Sequence, residues 1–256
     1  MSDIMQMEDH GKVRILSFNR PDALNALNTE LFQGFAEALR QTAEDDRISV
    51  VILTGKGRAF CAGQDLPDIQ RQTSEEWRQN CMQPMMSALI DFPKPLIAAV
   101  NGVGVGFGLT VLGHVDMTFM SDTAKLKIPF AEIGVVAEAC STTLLPDLIG
   151  WANMADILYT AGWIDADRAV EMGLVWRKVA ADQLMETALA KATEMARMPR
   201  PTLMDNKRIM LAARRDRVLT ALDRENDELA RLFNGPINRE AVDAFKEKRT
   251  PNFDQF

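Results

Sequence analysis

Leu96-Ile97-Ala98-Ala99-Val100-Asn101-Gly102-Val103-Gly104-Val105-Gly106-Phe107-Gly108-Leu109-Thr110-Val111-Leu112-Gly113-His114-Val115 runs for twenty residues without a charged side chain. Length alone would allow it to cross a bilayer as a helix. Its composition argues otherwise. Five glycines (102, 104, 106, 108 and 113) and Asn101 lie inside it; each glycine costs a helix about 1 kcal/mol, and Asn is poorly placed in lipid. The run divides more naturally into a buried strand (96–100), a glycine-rich turn and a buried helix opening near Phe107.

Outward from this stretch the pattern repeats. Residues 12–18 alternate as a strand, and 49–54 form a short apolar, β-branched run ending at Gly55. Asn28 or Thr29 caps an expected helix reaching Glu44, with Leu31, Phe32, Phe35, Ala36 and Leu39 at helical spacing. A helix over 75–92 must start at, kink at or be interrupted by Pro84, and a further strand is expected at 115–120. Strands alternating with helices indicate an α/β layered fold. Beyond residue 180 only helical periodicity remains, over 182–198, 201–214, 217–233 and 238–248. Pro199-Arg200-Pro201 marks the expected border between a core, 1–199, and a helical region, 200–256.

The totals exclude several functions. Among 256 residues 47% are hydrophobic and 25% charged, as in an ordinary globular protein with a full core. A net charge of −7 disfavours a nucleic-acid-binding surface. Three cysteines (61, 81 and 140) fit no zinc spacing and read as free thiols, and residues 1–11 do not form a signal peptide. With only two histidines, His10 in the N-terminal lead-in and His114 after an apolar helix, a Ser-His-Asp or Cys-His enzyme is poorly supported. The glycines miss the G-x-G-x-x-G spacing, since Phe107 stands where the third glycine belongs.

Two segments of small residues each follow a buried strand: 57–66 (Gly-Arg-Ala-Phe-Cys-Ala-Gly-Gln-Asp-Leu) and 101–108. Small residues allow a ligand close to main-chain N–H groups, and a helix opening near Phe107 would add its N-terminal partial charge. Two N–H groups converging on one carbonyl oxygen form an oxyanion hole, each worth about 2.7–4 kcal/mol in the transition state. Tight turns that need small residues would leave the same sequence trace.

Asn19-Arg20-Pro21, Ala23-Leu24-Asn25, Ala59 to Leu66, Lys94 to Gly102 and the tail Phe245-Lys246-Glu247-Lys248-Arg249 with Pro251-Asn252-Phe253 together resemble the crotonase (enoyl-CoA hydratase/isomerase) superfamily, in order along the chain. The resemblance implies the crotonase (ClpP-like) α/β fold of repeated ββα units with a C-terminal helical region that trimerises and closes the coenzyme A pocket. It implies an acyl-CoA thioester ligand, no separate cofactor or metal, and a homotrimer or dimer of trimers. Fatty acid metabolism (β-oxidation) in the cytoplasm is the expected setting, away from nucleic acid and membrane. It further implies oxyanion donors at the backbone N–H groups of Gln64 and Phe107. Ala23, Leu24, Ala62, Gln64, Asp65, Leu66, Phe107, Phe130 and Lys248 would meet substrate or coenzyme A. Arg58, Lys246 and Arg249 are further candidates for its phosphates, with ordinary solvated charge as the default.

A typical hydratase of this superfamily carries two glutamates, and the corresponding positions here hold Thr110 and Phe130. The segment 129–141 instead resembles the peroxisomal type of Δ3,Δ2-enoyl-CoA isomerase, whose single catalytic glutamate corresponds to Glu138; Leu112-Gly113 followed by Asp116 fits that branch too. One carboxylate suits the chemistry, because a single base can take a proton from C2 and return it at C4. Val135, Val136, Ala137 and Ala139 predict an apolar setting that raises the pKa of Glu138. The competing assignment makes Glu138 an N-capping acid of a helix over 139–148; Glu132 and Asp65 read as structural acids. Three functions remain open: isomerase, enoyl-CoA hydratase or another crotonase-type activity, and a non-catalytic CoA-binding or scaffold protein.

Overall fold

Alternate residues along strand 50–55 point to opposite sides of a sheet, and both sides are apolar because each is covered by helix. Val51 and Leu53 join Leu31, Phe32, Phe35 and Leu39 on one face. Val50 and Ile52 join Leu184, Ala188 and Ala192 on the other. This computed structural model describes residues 3–69 and 71–256, apart from the side chains of Leu66, Ile69 and Ser74.

The strands are β1 (Met5–His10), β2 (Val13–Phe18), β3 (Val50–Gly55), β4 (Ala59–Cys61), β5 (Leu96–Val100), β6 (Val103–Val105), β7 (Met117–Ser121), β8 (Lys125–Lys127), β9 (Ile164–Asp165) and β10 (Arg177–Val179). The helices are α1 (Thr29–Glu44), α2 (Leu66–Ile69), α3 (Ser74–Trp77), α4 (Gln83–Ile90), α5 (Phe107–Thr110), α6 (Ser141–Ile149), α7 (Trp151–Thr160), α8 (Ala166–Glu171), α9 (Leu184–Met195), α10 (Arg200–Ala212), α11 (Arg215–Leu232) and α12 (Pro236–Glu247). One sheet has the order β1-β2-β3-β5-β7-β10 and a second the order β4-β6-β8-β9. The α/β class and the crotonase-type architecture are as expected. No helix among the described residues is long and apolar enough to cross a membrane.

Two local expectations change. The lead-in before Gly11 is strand β1, paired antiparallel with β2 from Met5↔Phe18 to His10↔Val13. The segments at 57–66 and 101–108 are not continuous loops, because β4 and β6 pair in parallel within the second sheet, with a register shift between Ala59 and Cys61. At Pro84 the expectation holds: the helix over 75–92 is interrupted by a π-helical turn, Arg78–Met82, and the proline stands in the first turn of α4, where a missing N–H costs nothing.

Lys94 and Lys207 explain how the helices are fixed to the sheet. The buried Lys94 ammonium donates to the carbonyls of Thr42 and Asp45 at 2.6 and 2.7 Å, closing the C-terminal end of α1. Lys207 on α10 donates to the Lys94 carbonyl and to Asp116 Oδ2, both at 2.8 Å, while that carboxylate also accepts the Leu96 N–H at the head of β5. Asp116 is therefore a structural anchor.

Candidate active site

The glycines at 102, 104 and 108 have a packing reason. A Cβ on Gly102 would stand 2.1 Å from the Arg58 carbonyl oxygen, and one on Gly108 would stand 2.1 Å from that of Cys61. A Cβ on Gly104 would meet Leu126 Cδ2 at 2.6 Å. The chain therefore passes at contact distance over β4. Gly106 is needed for conformation: its φ of 54° with ψ of −115° is a region that L side chains avoid.

This close passage brings the two expected donors side by side. A Cβ on Gly63 would lie 2.9 Å from the Val105 carbonyl oxygen and 3.8 Å from Gly106 Cα. The segment around Gln64 is aligned by Leu27, which donates its N–H to the Gly63 carbonyl at 2.7 Å and accepts the Asp65 N–H at 3.0 Å. Residues flanking Gln64 thus face Leu27, and by strand alternation the Gln64 N–H faces away. Gly106 N–H is tied to the Lys127 carbonyl at 3.0 Å, whereas Phe107 N–H opens α5 and has no carbonyl a turn behind it. Among the described residues neither the Gln64 nor the Phe107 N–H has a protein acceptor. Helix α5 is only four residues long and runs into a 3-10 turn, Val111–Gly113, so the contribution is local N–H groups more than a long-helix dipole. The Phe107 ring is buried beside Phe32 and Phe35, which fixes the backbone behind it.

The remaining ligand candidates partly converge. Leu24 accepts the Ala62 N–H at 3.0 Å, bringing Ala23 and Leu24 beside Ala62. Asp65 accepts from Arg20 at 2.9 Å and caps the Asp68 N–H, a loop-stabilising role. The Leu66 side chain lies outside the described residues. Phe130 is buried. Lys248 ends α12 in the left-handed region (φ 55°) and is exposed. Arg249 is already paired with Glu240 and Glu247, which makes it a poor phosphate ligand within this chain. A cleft of about 190 Å³ beside Gln64 is walled by Trp77, Leu229, Ala230 and Phe233 together with polar Glu75, Arg78, Asn226 and Asp227. Met82, Met85 and Met86 are core residues instead.

Glu138 is 2% exposed. Its Oε1 accepts the Thr110 hydroxyl at 2.9 Å, and its Oε2 is buried without a hydrogen-bond partner. Burial pushes its carboxyl from 4.5 up to about 8; the Thr110 hydroxyl opposes the rise and the Glu225 charge adds to it. Thr110 lies one turn along from Phe107, so the carboxyl is tied to the helix that carries the second N–H. Thr110, at the position of a hydratase glutamate, is thus the residue that holds Glu138.

Glu138 is not the helix cap. Glu225 on α11 takes that role: Oε2 accepts the Cys140 N–H at 2.6 Å, and Oε1 accepts the Thr142 N–H at 2.9 Å and the Thr142 hydroxyl at 2.5 Å. Residues 139 and 140 are both left-handed (φ 58° and 60°), and α6 starts only at Ser141. His114 is buried and its Nε2 lies 2.8 Å from the Ala139 carbonyl. Sequence reasoning missed Glu225 and placed His114 only as the residue after an apolar helix. The only sequence trace of Glu225 is an acid on the inward stripe of a helix, with Val218 and Ala221. Glu132 is exposed and paired with Lys127, the structural role expected of it. The three cysteines are free and buried; burial pushes the Cys61 thiol to about 12, so it is inert at neutral pH. No group of three His, Cys, Asp or Glu among the described residues could hold a metal.

Known proteins resemble this chain in sequence and in fold. The enoyl-CoA hydratase/isomerase family profile matches residues 8–256. The chain is 33% identical over 252 residues to the 1,2-epoxyphenylacetyl-CoA isomerase of Escherichia coli (strain K12), covering 94% of each protein. It is 32% identical over 209 residues to the human (Homo sapiens) enoyl-CoA delta isomerase 2, covering 79% of this chain and 53% of that protein. Other relatives carry hydratase names. The crystal structure of an enoyl-CoA hydratase/isomerase from Pseudoalteromonas atlantica T6c superposes with a TM-score of 0.93 at 33% identity, over 98% of this chain and all of that one. Motif order, fold and sequence similarity agree: the chain belongs to the enoyl-CoA hydratase/isomerase family of the crotonase superfamily.

Proposed function

We propose that this protein is a Δ3,Δ2-enoyl-CoA isomerase with Glu138 as its single acid/base. The observation that carries the reading is the state of that carboxyl: one oxygen held by Thr110, the other buried and uncommitted. Neighbouring acids are engaged elsewhere, Glu225 by three donors, Asp65 by Arg20 and Glu132 by Lys127.

The ionised Glu138 removes a proton from C2 of a 3-enoyl thioester. The electron pair delocalises onto the thioester oxygen, where the Gln64 and Phe107 N–H groups stabilise the dienolate. The same carboxylic acid returns the proton at C4, leaving the double bond between C2 and C3. A pKa near 8 balances a base able to take a C2 proton against an acid able to return it near neutral pH. Ala23, Leu24, Ala62, Asp65 and Leu66 would line the coenzyme A path, with Arg58 and Lys248 toward its phosphates. A trimer or a dimer of trimers, served by helices 200–256, is part of this reading, and exposed Trp151, Tyr159 and Trp163 are apolar surface available for burial between copies. The hydratase reading is favoured by the names of several relatives.

Turnover of 3-enoyl- and 2-enoyl-CoA substrates of several chain lengths, followed by ultraviolet absorbance, tests the proposal. Conversion of 3-enoyl to 2-enoyl thioester that disappears in Glu138→Gln, with acyl-CoA binding retained, supports it. Hydration of 2-enoyl substrates without isomerisation would replace it with the hydratase reading. Tight binding without turnover would replace it with the scaffold reading.

A further inference from the structure

Glu138 stands at the start of a turn whose next two residues are both in the left-handed region. Non-glycine residues are strained in that region, and such a turn persists only where its surroundings hold it. Two buried polar side chains from separate elements do so. From one side, His114 meets the Ala139 carbonyl at 2.8 Å. Burial lowers the imidazole to about 4, so the ring is neutral, and beside a carbonyl its proton must be on Nε2. From the other side, Glu225 accepts the N–H groups of Cys140 and Thr142 and the Thr142 hydroxyl.

We propose that His114 and Glu225 are positioning residues that clamp the 138–142 turn from opposite sides and so aim Glu138 at the substrate. The proposal rests on Glu138 being the acid/base. The two residues act on the two ends of one peptide group. His114 fixes the carbonyl of Ala139 and Glu225 fixes the N–H of Cys140, so the peptide plane after Ala139 has both ends held. Rotation of that plane is what would swing Glu138 away from the Thr110 hydroxyl. Glu225 also contributes a charge. Glu225 acts on Glu138 through space, Glu138 in turn acts on Cys61 and Cys140, and Arg214 and Lys207 act on His114.

Glu225→Gln replaces one accepting oxygen by an N–H₂ donor that must face either Cys140 or Thr142, and removes the charge. His114→Ala removes the donor to Ala139, whereas His114→Gln can restore an amide N–H. Each is assayed with 3-hexenoyl-CoA for turnover and with octanoyl-CoA, a saturated thioester, for binding by calorimetry. Expected results are a kcat at least about tenfold lower in Glu225→Gln and His114→Ala, with octanoyl-CoA affinity within about twofold of wild type. His114→Gln should recover most of kcat, and Glu225→Gln should move the pH–rate limb to lower pH. A merely structural role would lower binding and folded fraction together and leave that limb in place. Unchanged kcat and pH profile in both clamp variants, alongside an inactive Glu138→Gln, overturns the clamp and spares the acid/base assignment. Full activity of Glu138→Gln overturns both, through that variant alone. If one clamp variant fails to fold, the variant on the opposite side decides the matter.

Discussion

A carboxyl that folds into a buried site and keeps its proton until about pH 8 must make the protein less stable as pH rises. The unfolded chain releases that proton near 4.5, the folded one near 8. Stability from this group is therefore fully present below 4.5 and is lost as pH rises through the folded value. The stability lost because the unfolded chain ionises more readily than buried Glu138 is about 1 kcal/mol near pH 5 and about 5 kcal/mol near pH 9, a swing of about 4 kcal/mol and an upper limit because water penetration relieves buried charge. Glu138→Gln removes the swing while keeping shape and an oxygen for Thr110. Its unsatisfied amide adds a penalty independent of pH, which cancels when only the pH dependence is compared. Urea unfolding of both proteins at about pH 5 and about pH 9, at equal protein concentration, gives the difference of differences. His114, lowered to about 4, titrates in both proteins and also cancels. A relative gain in stability of about 3–4 kcal/mol for Glu138→Gln on going to high pH is expected. A relative gain below about 0.5 kcal/mol would refute the claim that Glu138 is held protonated by burial.

Thr110→Val removes the one hydrogen bond that favours ionised Glu138, so the pH–rate limb should move up by about half to one unit and kcat near neutrality fall several-fold, read from kcat/KM profiles. Gly106→Ala has room for its methyl group but the wrong φ, so it should rotate the Phe107 N–H at a strain of about 1–3 kcal/mol. Turnover should fall at least about tenfold with a modest loss of melting temperature, checked by kinetics and thermal unfolding. Lys94→Met should remove the buried ammonium that the Thr42 and Asp45 carbonyls share, leaving them only the Asp45 and Ile48 N–H groups, and destabilise by about 1–3 kcal/mol with KM for folded enzyme unchanged, checked by denaturant titration.

What the sequence revealed and what it hid follow physical lines. β3 and β5 are legible because strands buried on both faces are continuous apolar runs, and α1 because seven of its residues are buried at helical spacing. β4 and β6 are too short for period-two alternation to register, so their segments read as turns of small residues. The glycine run carries two messages in one composition: Gly102, Gly104 and Gly108 answer contact with neighbouring chain, and Gly106 answers a conformational demand, which spacing alone cannot separate. Glu138 was singled out by the resemblance of 129–141 to an isomerase branch, its apolar neighbours pointing only to a raised pKa. Its partners were not, because Thr110, His114 and Glu225 lie 28, 24 and 87 positions away and are joined to its turn only by folding.

The central claim is that two backbone N–H groups hold a thioester oxygen while one carboxyl serves both C2 and C4. A crystal structure with a bound, unreactive 3-enoyl-CoA analogue tests it most directly. The thioester oxygen should lie about 3 Å from both the Gln64 and Phe107 nitrogens, with Glu138 Oε2 within about 3.5 Å of the C2 and C4 positions. A thioester oxygen bound elsewhere, or a carboxylate other than Glu138 facing those carbons, would contradict it.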